Sequence, residues 1–215
     1  RNMPVELLEL EIPINIHSYG LAPDSGGAGL HRGGTGVQMT FQLENPNSTV
    51  TARNRDRSRF VAWGVQGGKA GVASSFVLNP GTERERQLEN TDVVAVSPDD
   101  VVRVTGPGGG GYGDPLLRDP RQVLLDVRNG LVSTEAAARL YGVALRDGEV
   151  DAEATSALRA GHVEDRSAFD FGAYRERFEA VLTPERYDTL TGLLAAVPLT
   201  WRYFELLTDL SLEEI

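Results

Sequence analysis

The sequence contains no cysteine, and this absence removes several kinds of chemistry. Without cysteine the chain can have no disulfide scaffold, no thiolate nucleophile and no zinc site built on thiolates. The chain also lacks an excess of basic residues, since its net charge is -10 at pH 7 over 215 residues. A phosphate-binding surface needs a basic face, so this balance argues against a nucleic-acid partner. No apolar run reaches the roughly 20 residues of a transmembrane helix, and we expect no membrane contact.

The first twenty residues lack the features of a protein start or of a targeting segment. The chain begins at Arg1, and its first methionine is Met3. A secretory signal would have a basic stretch followed by an apolar stretch, and neither is found here. The start therefore looks internal, which predicts a piece of a longer protein. The missing signal and the missing cysteine favour a cytoplasmic location.

Three common site motifs are also absent. The phosphate loop G-x-x-x-x-G-K-[ST] fails because Lys69 is followed by Ala70. No G-x-G-x-x-G fingerprint of a dinucleotide site is found. A nucleophile elbow with its serine is missing too, so a serine hydrolase is disfavoured.

Residues 1–115 are expected to form a β-rich region, because short apolar runs alternate with turn sequences. The predicted strands lie at residues 7–16, 37–43, 49–53, 60–63, 73–78, 93–96 and 101–104. The turns between them contain Asn-Pro, Gly-Gly and Pro-Asp-Asp, which interrupt regular structure. This spacing favours a sandwich or barrel-like sheet over βαβ units.

Residues 116–215 are expected to form a helical region, which makes the fold class α+β. The predicted helices lie at residues 120–129, 134–141, 150–160, 169–182, 184–197 and 201–207. Ser133, Asp151 and Thr183 stand at N-cap positions. Gly130 and Gly142 follow helical segments, where glycine is a natural C-cap.

Glycine is abundant and clustered. The chain has 24 glycines, and 16 of them fall in the segments 24–36, 63–71 and 106–114. Glycine allows backbone N–H groups to converge on one point, and such concave nests bind anions. The alternative is that these segments are only tight turns and bulges of a sheet. Polar side chains flank all three clusters, as a substrate loop or an interface loop requires.

The clusters and their neighbours resemble one family. The segments that carry the resemblance are NMPVELLE, DSGGAGLHRGGTG, RDRSRF with WGVQGGKAG, PGGGGYGDPLLRDP with VLLDVRNGLVSTEAAARLYGV, and VDAEATSALRA. Their order and spacing are similar to those of the hydantoinase B/oxoprolinase family, almost continuously from residue 2 to residue 159. The tail from residue 169 onwards lies outside the resemblance.

The resemblance implies an ATP-dependent enzyme acting on a cyclic amide, such as a hydantoin or 5-oxoproline, or on a ketone that is carboxylated. An actin-like A-type subunit would bind ATP and magnesium and phosphorylate the substrate. The present chain would be the C-terminal part of the B-type subunit in a hetero-oligomer. The choice between hydrolase and carboxylase stays open.

Family B chains are much longer, and their histidine and aspartate metal ligands precede the first glycine segment. The histidines here are His17, His31 and His162, and they form no H-x-x-D or H-x-x-x-H pair. No metal is therefore expected on this chain, and a divalent ion, manganese or zinc, would belong to the N-terminal segment of the B-type subunit.

The candidate site lies on the glycine clusters and on the arginine-rich segment before the second one. The candidate substrate- or phosphate-binding residues are Ser25, Gly26, Gly27, Arg32, Gly33, Gly34, Arg57, Gly67, Gly68, Gly109, Gly110 and Tyr112. No catalytic residue is assigned, and the candidates considered are His31, Arg32 and Asp114.

The candidate side chains also have simpler interpretations. A loop histidine such as His31 is more often solvent-exposed than catalytic. Arg32 could bind a carboxylate or phosphate, or it could pair with Asp24 or another acid. Asp114 precedes a proline and is expected to cap a helix or close the loop rather than catalyse.

Two other functions compete with the enzymatic one. In the first, the chain is a non-catalytic structural part of a multi-subunit complex, and its glycine loops shape an interface. In the second, it is a carbohydrate- or anion-binding β-module, which the family resemblance disfavours.

Overall fold

The computed structural model describes residues 4–52, 57–88 and 91–198 of the chain. Two compact units are distinguished, residues 1–172 and residues 173–215. Every candidate site residue lies in the first unit.

Antiparallel strands dominate the first unit. In chain order the strands are β1 (Ile14–Leu21), β2 (Val37–Leu43), β3 (Ser48–Ala52), β4 (Gly64–Val65), β5 (Ser75–Leu78), β6 (Arg86–Gln87), β7 (Thr91–Val96), β8 (Val101–Thr105), β9 (Leu145–Arg146), β10 (Glu149–Val150) and β11 (Phe169–Asp170). The main sheet has the order β1-β2-β8-β5-β6, and its neighbouring strands are antiparallel. The strands β3 and β7, β9 and β10, and β4 and β11 form separate pairs.

One apolar core lies between the main sheet and the β3–β7 pair. Its buried members are Phe41, Phe76, Leu78, Leu88, Val94, Val96 and Val102. Phe76 and Val102 come from the central strands β5 and β8 and are each 1% exposed. Because these strands carry the core, the loops that leave them start from a fixed framework.

Helices follow the sheet along the chain. The helices are α1 (Val5–Glu11), α2 (Pro120–Arg128), α3 (Thr134–Tyr141), α4 (Ala152–Arg159), α5 (Ala173–Val181) and α6 (Pro184–Ala196). Ser133, Asp151 and Thr183 accept hydrogen bonds from the first turns of α3, α4 and α6, as predicted. Gly142 ends α3 with φ +60°, the left-handed conformation that glycine adopts readily.

A second core joins α2 and α3 to the first glycine cluster. Its buried members are Ala28, Val123, Val132, Ala136, Ala137, Tyr141 and Val143. Ala28 lies inside the glycine cluster 24–36, so this cluster is anchored to the helices.

The expected change from strands to helices near Pro115 describes the chain loosely. Three predicted elements differ from the structure. Residues 7–16 are predicted to be extended, but α1 occupies residues 5–11, since leucine and glutamate favour a helix. Residues 60–63 form no strand. The helix predicted from Phe169 starts only at Ala173, because β11 pairs with β4 and Gly172 has φ +81°. The helix predicted at 201–207 lies outside the described residues.

No helix in the described part of the chain is long and apolar enough to cross a membrane.

Candidate functional site

Three glycine-rich loops leave the same end of the main sheet. We call them loop 1 (residues 24–36), loop 2 (residues 63–71) and loop 3 (residues 106–114), and together the glycine bundle. Thr105 at the end of β8 lies opposite Gln38 of β2 on one side and Ser75 of β5 on the other. Loop 1 ends just before β2, loop 2 shortly before β5, and loop 3 begins after Thr105. The sheet register therefore brings together three segments that are far apart in the sequence.

The loops are joined by hydrogen bonds between their backbones. Gly27 N donates to Gly109 O at 2.8 Å, and Gly109 N donates to Gly34 O at 2.8 Å. Gly111 N donates to Lys69 O at 2.9 Å. Further bonds of this kind run from Lys69 N to Ala28 O and from Val65 N to Gly111 O, and Gly108 N donates to Val72 O just past loop 2. These N–H groups are used inside the bundle and do not point at a shared ligand.

The backbones approach so closely that side chains would not fit between them. A Cβ atom on Gly110 would lie 1.6 Å from the carbonyl oxygen of Trp63. One on Gly108 would lie 1.7 Å from that of Ser25, and one on Gly27 would lie 2.1 Å from that of Lys69. Glycine is required here because the backbones lie too close for any side chain, and this requirement is stricter than that of a turn.

Most of the candidate binding residues of loops 1 to 3 are therefore part of the bundle's interior. Added Cβ atoms would meet backbone within 2.4 Å at Gly26, Gly27, Gly33, Gly67, Gly68 and Gly110. Ser25 is buried, and its hydroxyl donates to Ala22 O and accepts from Gly36 N. Gly34 differs, because no atom lies within 4 Å of its Cβ position. At Gly109 the nearest atom is Gly34 N, at 3.1 Å.

His31 and Tyr112 form an exposed rim on the bundle. Each donates its N–H to the other's carbonyl oxygen at 2.9 Å, and their ring centroids are 6.1 Å apart. Tyr112 is 52% exposed, and its backbone also pairs with Val65 of β4. All three loops thus meet at this rim, which presents an imidazole and a phenol to solvent.

Arg32 points away from the rim, into a charge cluster with Arg118 and Asp126. Arg32 Nε lies 3.3 Å from Asp126 Oδ2, and Arg118 Nη2 donates to the same oxygen at 3.0 Å. The three side chains are between 10% and 16% exposed. The acid that pairs with Arg32 is thus Asp126 of α2, while Asp24 accepts a hydrogen bond from Ser133 N at 2.7 Å.

The charge cluster ties loop 1 to the helices. Arg32 donates to Gly33 O at 2.6 Å, and Arg118 donates to Leu30 O at 2.8 Å. Within the described residues, Nε of Arg32 and Nε of Arg118 are buried nitrogens without a hydrogen-bond acceptor. Burial raises the pKa of Tyr141 to about 12, although the nearby charges of Arg118 and Arg32 act to lower it. The cluster holds two cations and one anion, so within it the carboxylate of Asp126 offsets the positive charge of both arginines.

Asp114 is buried, and it closes loop 3 as expected. Its Oδ1 accepts from Leu116 N at 2.8 Å, which caps the short 3-10 turn Pro115–Leu117. Its Oδ2 accepts from Asp165 N and from His162 Nε2, both at 2.6 Å. Sequence reasoning missed this pair, because 48 residues separate His162 from Asp114.

The electrostatics of Asp114 combine opposite effects. Burial by itself raises the pKa of this carboxyl. The N–H groups of Asp165 and Leu116 and the ring of His162 outweigh burial, so the net pKa is lower than usual. Asp114 is therefore a carboxylate near neutral pH, held as an acceptor.

We expect the Asp114 network to make the protein acid-sensitive. A carboxyl whose pKa is lower in the folded state stabilises the fold above its unfolded pKa, near 3.9, and loses this contribution as the pH falls through the folded pKa. The free energy of unfolding should thus decrease below about pH 4. Urea denaturation from pH 7 to pH 3 measures it, and Asp114→Asn should show a smaller decrease from a lower starting stability.

The exposed Asp99 provides the control for this experiment. Asp99→Asn should keep the wild-type pH dependence. If Asp114→Asn also kept it, the acid sensitivity would have to come from other carboxyls.

An open groove lies beside the bundle. Its volume is about 640 Å³, and its lining residues are Arg57, Phe60, Val61, Ala62, Trp63 and Val65. Trp63 contacts the rings of Phe169 and Phe171 edge-on, with centroids 6.0 and 5.2 Å away. Arg57 thus lies on the groove rather than in the bundle. Arg53, Arg55 and Asp56, which precede it, lie outside the described residues.

The described side chains include no group of three or more histidines, aspartates or glutamates that could hold a metal ion.

The hydantoinase B/oxoprolinase family model matches residues 1–115, which contain the sheet and all three glycine loops. The chain belongs to this family. The match ends one residue after loop 3, so the glycine bundle lies entirely within the family's region.

Known members of the hydantoinase B/oxoprolinase family match over a longer stretch. The beta subunit of the caprolactamase of Pseudomonas jessenii is 40% identical over 169 residues, which cover 74% of this chain and 28% of that relative. The B-type subunit of a putative D-/L-hydantoinase of Pseudomonas sp. (strain NS671) is 32% identical over 166 residues, with coverage of 74% and 27%. The chain thus spans a little over a quarter of the length of these relatives.

Solved structures share the fold. The crystal structure of the ATP-dependent caprolactamase from Pseudomonas jessenii matches with a TM-score of 0.63 and 35% identity, over 74% of this chain and 28% of that one. The nucleotide-free structure of acetone carboxylase matches with a TM-score of 0.60 over 90% of this chain and 29% of that one. Its identity is 22%, so this second likeness concerns the fold alone.

Proposed function

We propose that this chain is the C-terminal part of a B-type subunit in an ATP-dependent complex that hydrolyses a cyclic amide or carboxylates a ketone. In this proposal the glycine bundle is a rigid platform that positions the His31–Tyr112 rim against the substrate. The observation that carries the proposal is that the family's three glycine segments join in one hydrogen-bonded bundle and meet at this exposed rim.

The rim has chemistry that suits a reacting carbonyl group. An imidazole can accept a proton near neutral pH and the imidazolium ion can donate one, and a phenol can donate a hydrogen bond to a developing oxyanion. His31 and Tyr112 are held through their backbones, so their positions do not depend on their own side-chain contacts. A site built on a fixed backbone orients its groups better than one on a mobile loop.

The nucleotide would belong to a partner. The bundle's N–H groups serve its own carbonyl oxygens, which makes loops 1 to 3 unsuited to cradle ATP phosphates. We therefore assign ATP and magnesium to an actin-like A-type subunit, and a divalent ion, manganese or zinc, to the N-terminal segment of the B-type subunit. The complex would be a cytoplasmic hetero-oligomer.

A purely structural role is the second candidate. It is supported by the interior position of Ser25, Gly26, Gly27, Gly33 and Gly68, whose backbones fill the bundle. In this case the bundle shapes an interface, and all reacting groups belong to other segments.

The turnover of variants at the rim distinguishes the catalytic function from the structural one. The chain is assembled with the remaining B-type segment and the A-type subunit, and ATP turnover is measured with hydantoins, 5-oxoproline and ketones. If the rim contacts substrate, His31→Ala and Tyr112→Ala should each lower kcat/KM at least about tenfold, without changing Tm.

His17→Ala is the matched control, because His17 is also an exposed histidine and lies on β1. It should leave kcat/KM within about twofold. Unchanged turnover in both rim variants would reject the catalytic rim and favour the structural role.

A further inference from the structure

An extended segment covers one side of loop 2. We call residues 162–172, which follow α4, the strap. Its strand β11 pairs antiparallel with β4, opposite Val65 and Gly64. Its carboxylate Asp170 accepts from Ala70 N at 3.0 Å, and Asp165 N is bound by Asp114. The strap is therefore fastened to loop 2 through β11 and Asp170, and to loop 3 through Asp114.

The strap lies on a tight turn of loop 2. Gly68 N donates to Val65 O at 3.1 Å, and the two central residues, Gln66 and Gly67, have φ of +53° and +87°. Two successive positive φ values define a type I′ turn. The following residue is Lys69, so an ammonium group stands beside the turn.

Three donors of this turn hold three oxygen atoms of the strap. Lys69 Nζ lies 2.7 Å from Asp165 Oδ2. Gly67 N donates to Ser167 O at 2.8 Å, and Gln66 N donates to Ala168 O at 3.1 Å. Backbone N–H groups beside a cation are the donors that proteins use for carboxylates and phosphates.

Lys69 is also the only lysine of the chain, in which the other 20 cationic side chains are arginines. Lys69 is 42% exposed and Asp165 is 32% exposed, so solvent reaches both partners. A half-exposed ion pair contributes little to stability, and a competing anion can approach it.

Lys69 stabilises a negative charge at the position of the Asp165 carboxylate. Asp165 is held ionised mainly by the hydrogen bond from Lys69, then by Ser167, and its pKa is well below its usual range. The carboxylate of Asp114 accepts from Asp165 N, and His162 of the strap itself donates to the same oxygen of Asp114. An anion that replaced the Asp165 carboxylate would thus bind the same ammonium group.

We propose that the ammonium group of Lys69, beside this turn, is a binding site for a small oxyanion, a carboxylate or a phosphate, and that the strap occupies this site with the carboxylate of Asp165. The Asp165 side chain then acts as an internal ligand that an incoming anion displaces, while the strap backbone stays bound to Gln66 N and Gly67 N. This goes beyond the proposed function, which places substrate contact at the His31–Tyr112 rim.

The single lysine makes the site directly observable. Reductive methylation with ¹³C-formaldehyde places one lysine label on the full chain, beside a label on the α-amino group. The ¹³C signal of Lys69 is followed by NMR during titration with inorganic phosphate, with acetate, and with chloride at equal ionic strength. The wild type is compared with Asp165→Ala.

Removal of the internal carboxylate should open the site. In Asp165→Ala we expect the Lys69 signal to saturate with phosphate or acetate, with an apparent Kd at least tenfold lower than in the wild type. Saturation by phosphate alone assigns a phosphate group, and saturation by acetate alone assigns a carboxylate. Glu164→Ala is the matched control, because it removes a neighbouring carboxylate that pairs with Arg166, and it should titrate like the wild type.

The proposal is overturned if phosphate and acetate move the Asp165→Ala signal no more than chloride does, or if wild type and variant bind equally. Should Asp165→Ala fail to fold, Asp165→Asn keeps the side-chain shape without the charge and is titrated by the same criteria. No partner subunit or turnover is involved, so a negative result removes the anion site and leaves the proposed function to its own assay.

Discussion

Gly110→Ala should unfold, or nearly unfold, the unit of residues 1–172. The new Cβ atom would lie 1.6 Å from the carbonyl oxygen of Trp63, about the length of a covalent bond. Both contacting groups are backbone, so no side chain can rotate to relieve the overlap. Because ordinary overpacking already costs about 1–3 kcal/mol, we expect a loss above about 3 kcal/mol. Urea denaturation followed by circular dichroism measures it.

Gly34→Ala is the matched control, since it makes the same substitution in the same bundle. Nothing lies within 4 Å of its added Cβ, and its φ is not positive. Its free energy of unfolding should stay within about 1 kcal/mol of the wild type. Equal losses at Gly34 and Gly110 would mean that the glycines matter for flexibility rather than for close contact.

Asp126→Ala should cost about 3–5 kcal/mol of the free energy of unfolding. The substitution leaves the guanidinium groups of Arg32 and Arg118 buried, with no anion in the charge cluster. A domain of this size has a total stability of about 5–15 kcal/mol, so the variant is expected to be marginal at 37 °C. Thermal and urea unfolding at neutral pH measure the change.

The exposed residue Asp99 again serves for comparison, and Asp99→Ala should change stability by less than about 0.5 kcal/mol. Arg32→Met combined with Asp126→Ala should recover part of the loss, because one of the two uncompensated charges is gone. If Asp99→Ala were as destabilising as Asp126→Ala and the double variant recovered nothing, the charges of Arg32 and Arg118 would have to be offset by groups outside the cluster.

Local signals in the sequence predict local structure well. The alternating segment at 37–43 is β2, and the caps Ser133, Asp151 and Gly142 bound the predicted helices. Each of these signals acts within a few residues, through side-chain periodicity or one side-chain hydrogen bond. The helix α1 is the exception, because the short apolar runs before Pro13 suggest an extended chain although their leucines and glutamates favour a helix.

The glycine bundle cannot be predicted in the same way. Apolar patterns locate side chains that pack, but the bundle packs backbone on backbone and has almost no side chains inside. The sequence does not distinguish a glycine that a turn requires from a glycine that contacts another loop. The partners of Arg32 and Asp114 are not predictable from the sequence for a related reason. Asp126 and His162 are distant in the sequence and contact them only in the folded protein.

The bundle also bears on how the molecule reaches its native state. Its hydrogen bonds join Gly27 to Gly109 and Lys69 to Ala28, so each spans 40 residues or more of chain. Contacts of such long sequence separation form slowly, because chain entropy is lost before they stabilise anything. Glycine adds to this cost, since it loses more backbone freedom on ordering than any other residue. Because the sheet register brings the three loops together, we expect the sheet to pair before the bundle closes, and backbone amides inside the bundle to be the last to become protected during refolding.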